Sequence, residues 1–540
     1  MKGPFIRTIK SEKPLILFET EGTYPYTGGG VSTWAHILIH KLENDADFII
    51  YTLTGGPNVE SRFRLSSNVR DIIHLPLWGT VEPSEVFDKQ RRFSYYLQKK
   101  YDTIFKNVER YFFPLMDDFL NILFDPFGPP EKASEILYGL WKYFMHFDFK
   151  MTITHPNLWV EFKEKLSGYF DLKRDDIIPG EKPVLFDTVF SLRWLYHFLM
   201  PLSVPLPKVD VTHATIAGFA GLPGILAAYE HGTPLIVTDH GVFIRERLIA
   251  ISRADFPYYA KKFLIDLSTV VSRSIYYTAT QISPVAHYNT KWETRYEAHS
   301  DKIKVIYNGI DPHRFKPAPK PPSTRFRPTV VAAARVYALK DIATMIRTCN
   351  IVRKTIPNVH FIVYGSLYAD PEYVNQCRDL INSLDLNYNF TFGGFHQNPA
   401  MLYNEGDISI LTSISEGFPY TVIESMACGR PVVATDVGGV REALEGCGII
   451  CKPKDAAGLA RGVIKLLQDD FLRFELGKKA REKVLLNFTE DVSVNRYLES
   501  YKNLAERIAV PLKENVRLES VKQILEFDEQ VRSTHYRLSV

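Results

Sequence analysis

The strongest constraint on how this chain folds is a rhythm. Short apolar runs of strand length alternate with helical spacings in two series, one on each side of a proline-rich stretch, KPAPKPPSTRFRP at residues 316–328. In the first series, residues 15–18, 48–53, 209–213, 235–238, 281–284 and 304–307 read as strands. Val31, Trp34, Ala35, Leu38 and Leu42 recur at helical spacing, and 218–229 reads as a helix. In the second series, 330–333, 360–364, 390–392, 408–411 and 432–435 read as strands, followed by helices over 458–467, 472–486 and 492–508. Alternation of this kind demands parallel sheets covered on both faces, with ligands bound beyond the carboxyl ends of the strands. The expected fold is therefore α/β: two Rossmann-like domains facing a cleft. The first spans 1–315, the second 316–490, and helices at 491–540 cross back toward the first. Between 80 and 200 the rhythm gives way to Phe-, Tyr- and Leu-rich helical periods, exemplified by 136–147, which read as a helical insertion in the first domain.

Composition narrows the function. Of 540 residues, 45% are apolar and 24% charged, enough for two or three full cores. The 65 basic and 62 acidic residues leave a net charge of +3, which gives no support for bulk nucleic-acid binding. Five cysteines (Cys349, Cys377, Cys428, Cys447, Cys451) form no disulfide framework, and the Cys447–Cys451 spacing lacks a second pair, so no metal site is expected. The N-terminal stretch has no apolar signal core, and no apolar run reaches spanning length. The expectation is a cytoplasmic protein, or one held at the inner face of a membrane through a partner.

The chemistry concentrates in SISEGFPYTVIE, residues 413–424. Glu416-Gly417 follows a strand, Pro419 suits a helix start, and Glu424 falls about one and a half turns into that helix. Free N–H groups at Tyr420 to Val422 would make an anion site at the positive end of the helix. Taken alone, the two acids read as a cap and a solvated helix acid, and Arg335 with Lys340 as a solvated basic pair. The absence of a G-x-G-x-x-G fingerprint argues against a nicotinamide cofactor.

The stretch EGFPYTVIESMACGRPVVATDVGGVREAL, together with VIYNGIDPHRFKP and ARVYALKDI, resembles family 4 of the retaining glycosyltransferases, whose fold is GT-B. That resemblance implies that Arg335 and Lys340 clamp the diphosphate of a nucleotide-sugar donor. It further implies that Glu424 holds its ribose and that Glu416 lies near the transferred sugar. Gly417, Phe418, Pro419 and Thr421 are then expected to add contacts through backbone N–H groups. Uridine diphosphate glucose or a related sugar is the implied donor, and a glycan the acceptor, with no cofactor.

In the first domain, ETEGTYPYTGGGVSTW carries Gly29 and Gly30 into a helix, either as a plain turn or as a close approach to the donor phosphate. This opening and TDHGVFIRER resemble glycosyltransferases of bacterial exopolysaccharide synthesis, which implies a partner in a membrane polysaccharide-synthesis complex. His240 follows a strand end. The resemblance gives it contact with the transferred sugar, while a buried structural histidine is the plainer reading. Arg245 and Arg247 are candidates for acceptor or partner contacts, or a solvated helix face. A donor-binding scaffold without transfer and a nucleotide-sugar epimerase remain as alternatives.

Overall fold

A computed structural model describes residues 13–79, 93–172, 184–396 and 398–538. The chain divides into two compact units. The first takes the chain up to Ser283, Trp292–Lys304 and the stretch from Leu498 onward; the second takes Pro284–Lys291 and Val305–Tyr497.

In the first unit six strands, β1 (Leu15–Glu21), β2 (Asp47–Thr54), β3 (Val69–Pro76), β4 (Val211–Ala214), β5 (Leu235–Asp239) and β6 (Gln281–Pro284), form one sheet in the order β3-β2-β1-β4-β5-β6. The pairs β3–β2, β2–β1, β1–β4 and β4–β5 are parallel. The second unit repeats the plan with β7 (Thr329–Ala333), β8 (His360–Tyr364), β9 (Phe390–Gly394), β10 (Ile408–Leu411), β11 (Val432–Thr435) and β12 (Ile449–Cys451), in the order β12-β11-β10-β7-β8-β9. All five pairs there are parallel. These are two Rossmann-like sheets of one topology. In each, the strand order reverses beside the first strand, between β1 and β4 and between β7 and β10, which opens a crevice at their carboxyl ends.

Burial on both faces explains why β7, β8, β10 and β11 of the second unit are largely apolar runs. Val330 and Ala332 enter one core cluster while Val331 enters the other. Among the described residues between β3 and β4, the named elements are all helical, including Phe113–Phe124, Pro130–His146, Pro156–Leu172 and Leu185–Leu199. Phe112, Phe119, Tyr143 and Phe144 from this insertion are fully buried in the first unit's core. The final helix, Glu519–Leu538, belongs to the same unit and packs Val521 and Ile524 into that core. Lys142 Nζ and His146 Nε2 each lie 2.8 Å from the Asp528 carboxylate, which fixes the helix to the insertion.

Three expectations need correction. Residues 304–307 do not form a strand: Lys304 and Ile306 donate to Ile282 and Pro284 carbonyls, but only an isolated bridge at Ile303 results. The sheets gain two edge strands instead. One is β3, whose apolar run is interrupted by Arg70 and Asp71, and the other is the three-residue β12. The proline-rich stretch is not a free linker. Lys320 Nζ meets Asp407 Oδ2 at 2.7 Å, Ala318 N donates to Asn404 Oδ1, and Arg430 donates to the Ala318 carbonyl, so it is stitched onto the second unit.

Candidate functional site

The crevice of the second unit is built from the loops that leave β7 and β10. After Ala333 the chain passes Arg335, which is exposed with its guanidinium 5.4 Å from the Tyr337 ring centre, and makes one 3-10 turn, Ala338–Lys340. The loop after β10 is tied to that turn: Ile414 N donates to Leu339 O and Thr412 Oγ1 to Lys340 O, both at 2.9 Å. The two loops thereby carry Lys340 Nζ to 2.5 Å from Glu416 Oε1, with the side chains 20% and 11% exposed. Lys340 and Glu416, 76 positions apart in sequence, are thus a half-buried ion pair at the switch point.

Below this pair, the Glu416-Gly417 peptide rests on Gly438 and Gly439. Gly439 N donates to Gly417 O at 2.6 Å. At Gly438, where φ is +57°, a Cβ would lie 2.1 Å from Glu416 O. The Phe418 side chain turns into the core, its ring centre 5.0 Å from Tyr307 and 5.1 Å from Phe488, so only its backbone is available to a ligand. Pro419, also buried, precedes the helix Tyr420–Ala427, which has no side-chain cap. The Val422 N–H expected to be free instead donates to Pro419 O at 3.2 Å. Thr421 is half-buried in the first turn. Glu424, the fifth residue of the helix, accepts from Tyr403 Oη at 2.7 Å. Burial pushes its carboxyl above the usual carboxylate range, opposed by the Tyr403 hydroxyl and the charge of Arg314. The structure therefore groups Lys340 with Glu416, and places Glu424 with Tyr403 and Arg314 one turn deeper.

Sequence reasoning missed Tyr403 and Arg314, which no local pattern joins to Glu424. It also missed a cavity of about 650 Å³ at the carboxyl ends of β8 and β9, lined by Gly365, Tyr368, Arg378, Gly394 and Phe395 among others. Tyr368 is 90% and Phe395 85% exposed there. A Cβ on Gly365 would stand 2.0 Å from Ala334 O, so this glycine lets the cavity floor approach the Arg335 loop. A glycine directly after a buried strand was the available signal.

In the first unit, Gly29 caps the helix Gly30–Lys41 at φ +153°, a conformation that favours glycine. Trp34 on this helix meets His240 nearly edge-on, ring centres 4.4 Å apart. His240 follows β5. Its Nε2 is buried without a hydrogen-bond partner among the described residues, and burial lowers its pKa to about 3. Arg247 Nη2 meets Glu21 Oε1, at the end of β1, at 2.6 Å. It is therefore no part of a purely solvated face, whereas Arg245 lies over the Trp292 ring at 5.9 Å.

Two Rossmann-like parallel sheets of this order are those of the GT-B fold. Solved structures share that fold. Anabaena Alr3699/HepE in complex with UDP superposes with a TM-score of 0.54 at 14% identity, over 90% of this chain and 99% of that one. Sucrose-phosphate synthase from Thermosynechococcus elongatus gives 0.56 at 17% identity, over 91% and 99%. Residues 318–483 match the family Glycosyl transferases group 1. Residues 15–301 match the family described as Domain of unknown function (DUF3492), and the chain belongs to that family. Among curated proteins, it is 34% identical over 120 residues to N-acetyl-alpha-D-glucosaminyl L-malate synthase of Bacillus anthracis. That match covers 22% of this chain and 32% of the relative's own length.

Proposed function

We propose that this protein is a retaining, metal-independent hexosyltransferase that takes its sugar from a uridine diphosphate donor. The observation that carries the reading is Lys340 Nζ held on Glu416 Oε1 at 2.5 Å, beyond the ends of β7 and β10. A cation kept half-dry at a sheet's switch point serves to receive phosphate. Arg335, five residues before Lys340 and exposed, adds a planar fork suited to the second phosphate. The cavity bounded by Tyr368 and Phe395 is the seat for the base, and Glu424 accepts from the ribose hydroxyls. The crystallised complex of Anabaena Alr3699/HepE with UDP supports uridine as the base.

In the reaction, the bond from the sugar's anomeric carbon to the diphosphate oxygen breaks as the acceptor hydroxyl oxygen bonds to the same face of that carbon. The hydroxyl proton passes to the departing phosphate oxygen. Lys340 and Arg335 stabilise the charge that gathers on the leaving group. Glu416 faces the developing positive charge of the sugar ring, and the unpartnered Nε2 of His240 is a polar contact for a sugar hydroxyl. The acceptor is a glycan, with Arg245 and Arg247 on its side. The EGTYPY opening and the TDHG and RER segments favour a role of the PelF type, in a membrane polysaccharide-synthesis complex.

A thermal-shift panel of nucleoside diphosphates and their sugars tests the donor, with uridine nucleotides expected to stabilise most. Single-turnover release of UDP on adding acceptor separates transfer from mere binding. EDTA is expected to leave turnover intact; inhibition reversed by a divalent ion would overturn metal independence.

A further inference from the structure

The helix Asp470–Asn487 in the second unit is apolar on both sides. Its inner side is locked down. Gly477, Ala480 and Val484 are buried, and a Cβ on Gly477 would lie 2.2 Å from Gly429 O. Arg481 donates to the carbonyls of Phe315 and Ala427. Its outer side nevertheless presents Phe471 at 76% exposure, Phe474 at 68%, Leu485 at 44% and Leu486 at 74%. Beside Phe474 and Leu485 runs a groove of about 630 Å³, whose far wall is Pro317 and Pro319. Exposed aromatic and aliphatic residues gathered on one helix face mark an interaction surface.

The pattern along this face selects the occupant. Phe474, Lys478, Glu482 and Leu486 follow at intervals of four, so they share one face of the helix. A parallel copy would set Lys478 against Lys478. An antiparallel copy turned about a twofold axis midway between Lys478 and Glu482 instead sets each Lys478 against the other chain's Glu482. The same turn sets each Phe474 against the other chain's Leu486, which is 74% exposed. Every contact then occurs twice, as an isologous interface requires. The outward acids Glu475 and Glu482 balance Lys478 and Lys479 and count against an anionic lipid surface. We infer that this face joins two copies of the chain, each laying Phe474, Lys478, Glu482 and Leu486 against the same residues of the other, beside the proline-walled groove.

Sedimentation equilibrium on the full chain tests this. The wild type is expected at twice the chain mass. Lys478→Glu and Glu482→Lys, both at exposed positions that leave the fold unchanged, are each expected at the single-chain mass, because each places like charges opposite one another. An equimolar mixture of the two variants restores opposite charges at both contacts and is expected to return to twice the chain mass. Phe474→Asp is expected to be monomeric. A monomeric wild type, single variants that remain dimeric, or a mixture that stays monomeric would each overturn the inference.

Discussion

Replacing Lys340 by alanine isolates the interaction on which the proposed donor site rests. The ammonium group is 20% exposed and bonds Glu416 at 2.5 Å, so it is positioned before any ligand arrives and binding spends little on ordering it. A hydrogen bond to a charged group contributes about 1.5–3 kcal/mol. Losing one to the diphosphate should weaken UDP binding about 10- to 150-fold, at roughly 1.4 kcal/mol per tenfold. Glu416, which is 11% exposed, is then left as an unpaired carboxylate beside the incoming phosphates, which places the effect toward the upper end. Titration calorimetry with UDP reads the change directly, and Lys340→Arg, which keeps the charge but alters its shape, should lie between the two. If Lys340→Ala binds UDP as tightly as the wild type, the ammonium group does not receive phosphate and the donor assignment fails.

Two other perturbations test neighbouring parts of the argument. Gly438→Ala drives a Cβ to 2.1 Å from Glu416 O at a φ of +57°. The Glu416-Gly417 peptide must then shift, and UDP affinity should fall at least tenfold, by about 1.4 kcal/mol, with the melting temperature lowered as well. Full affinity in that variant would show that the peptide's position is unimportant. His213 is fully buried between Tyr501 Oη and Thr238 Oγ1, and burial lowers its pKa from 6.5 to about 3. Between those values the unfolded chain takes up a proton that the folded chain refuses. Its contribution to stability is thus complete above 6.5 and is lost as pH falls toward 3. The melting temperature should drop between about pH 7 and pH 5, and drop less in His213→Gln; a wild-type melt unchanged across that window would refute the assignment.

How much of this was legible in sequence depended on whether the signal was local. The strands 360–364, 408–411 and 432–435 emerge at their expected bounds, because a strand buried on both faces is a continuous apolar run with nothing to confuse it. The edge strands lacked that signature. In β3, Arg70 and Asp71 interrupt the apolar pattern because this strand has one neighbour and a solvated side. Residues 304–307 carry the right composition but run past β6 with only two backbone bonds. The site followed the same rule. The two acids and the glycine of SISEGFPYTVIE were visible because one loop and one helix turn hold them together. Tyr403, which lies 21 positions before Glu424, and the Tyr368–Phe395 cavity, whose walls come from two strand ends, are products of the sheet order alone.

Glu416 makes the proposed donor site more than a positive patch. A lysine bonded to a carboxylate at 2.5 Å has already been partly neutralised, so an arriving diphosphate must compete with Glu416 for it. If Lys340 receives the diphosphate as proposed, the acid costs binding energy, and its proposed place opposite the charge that grows on the sugar offsets that cost only after binding. Glu416→Gln keeps the shape of the side chain and removes the competition. UDP affinity should then rise, by about 1 kcal/mol for a half-buried pair, while transfer to acceptor slows at least tenfold. A uniform binding role would move both measurements in the same direction. Weaker UDP binding together with slower transfer in Glu416→Gln would therefore mean that the acid orients Lys340 rather than acting on the sugar.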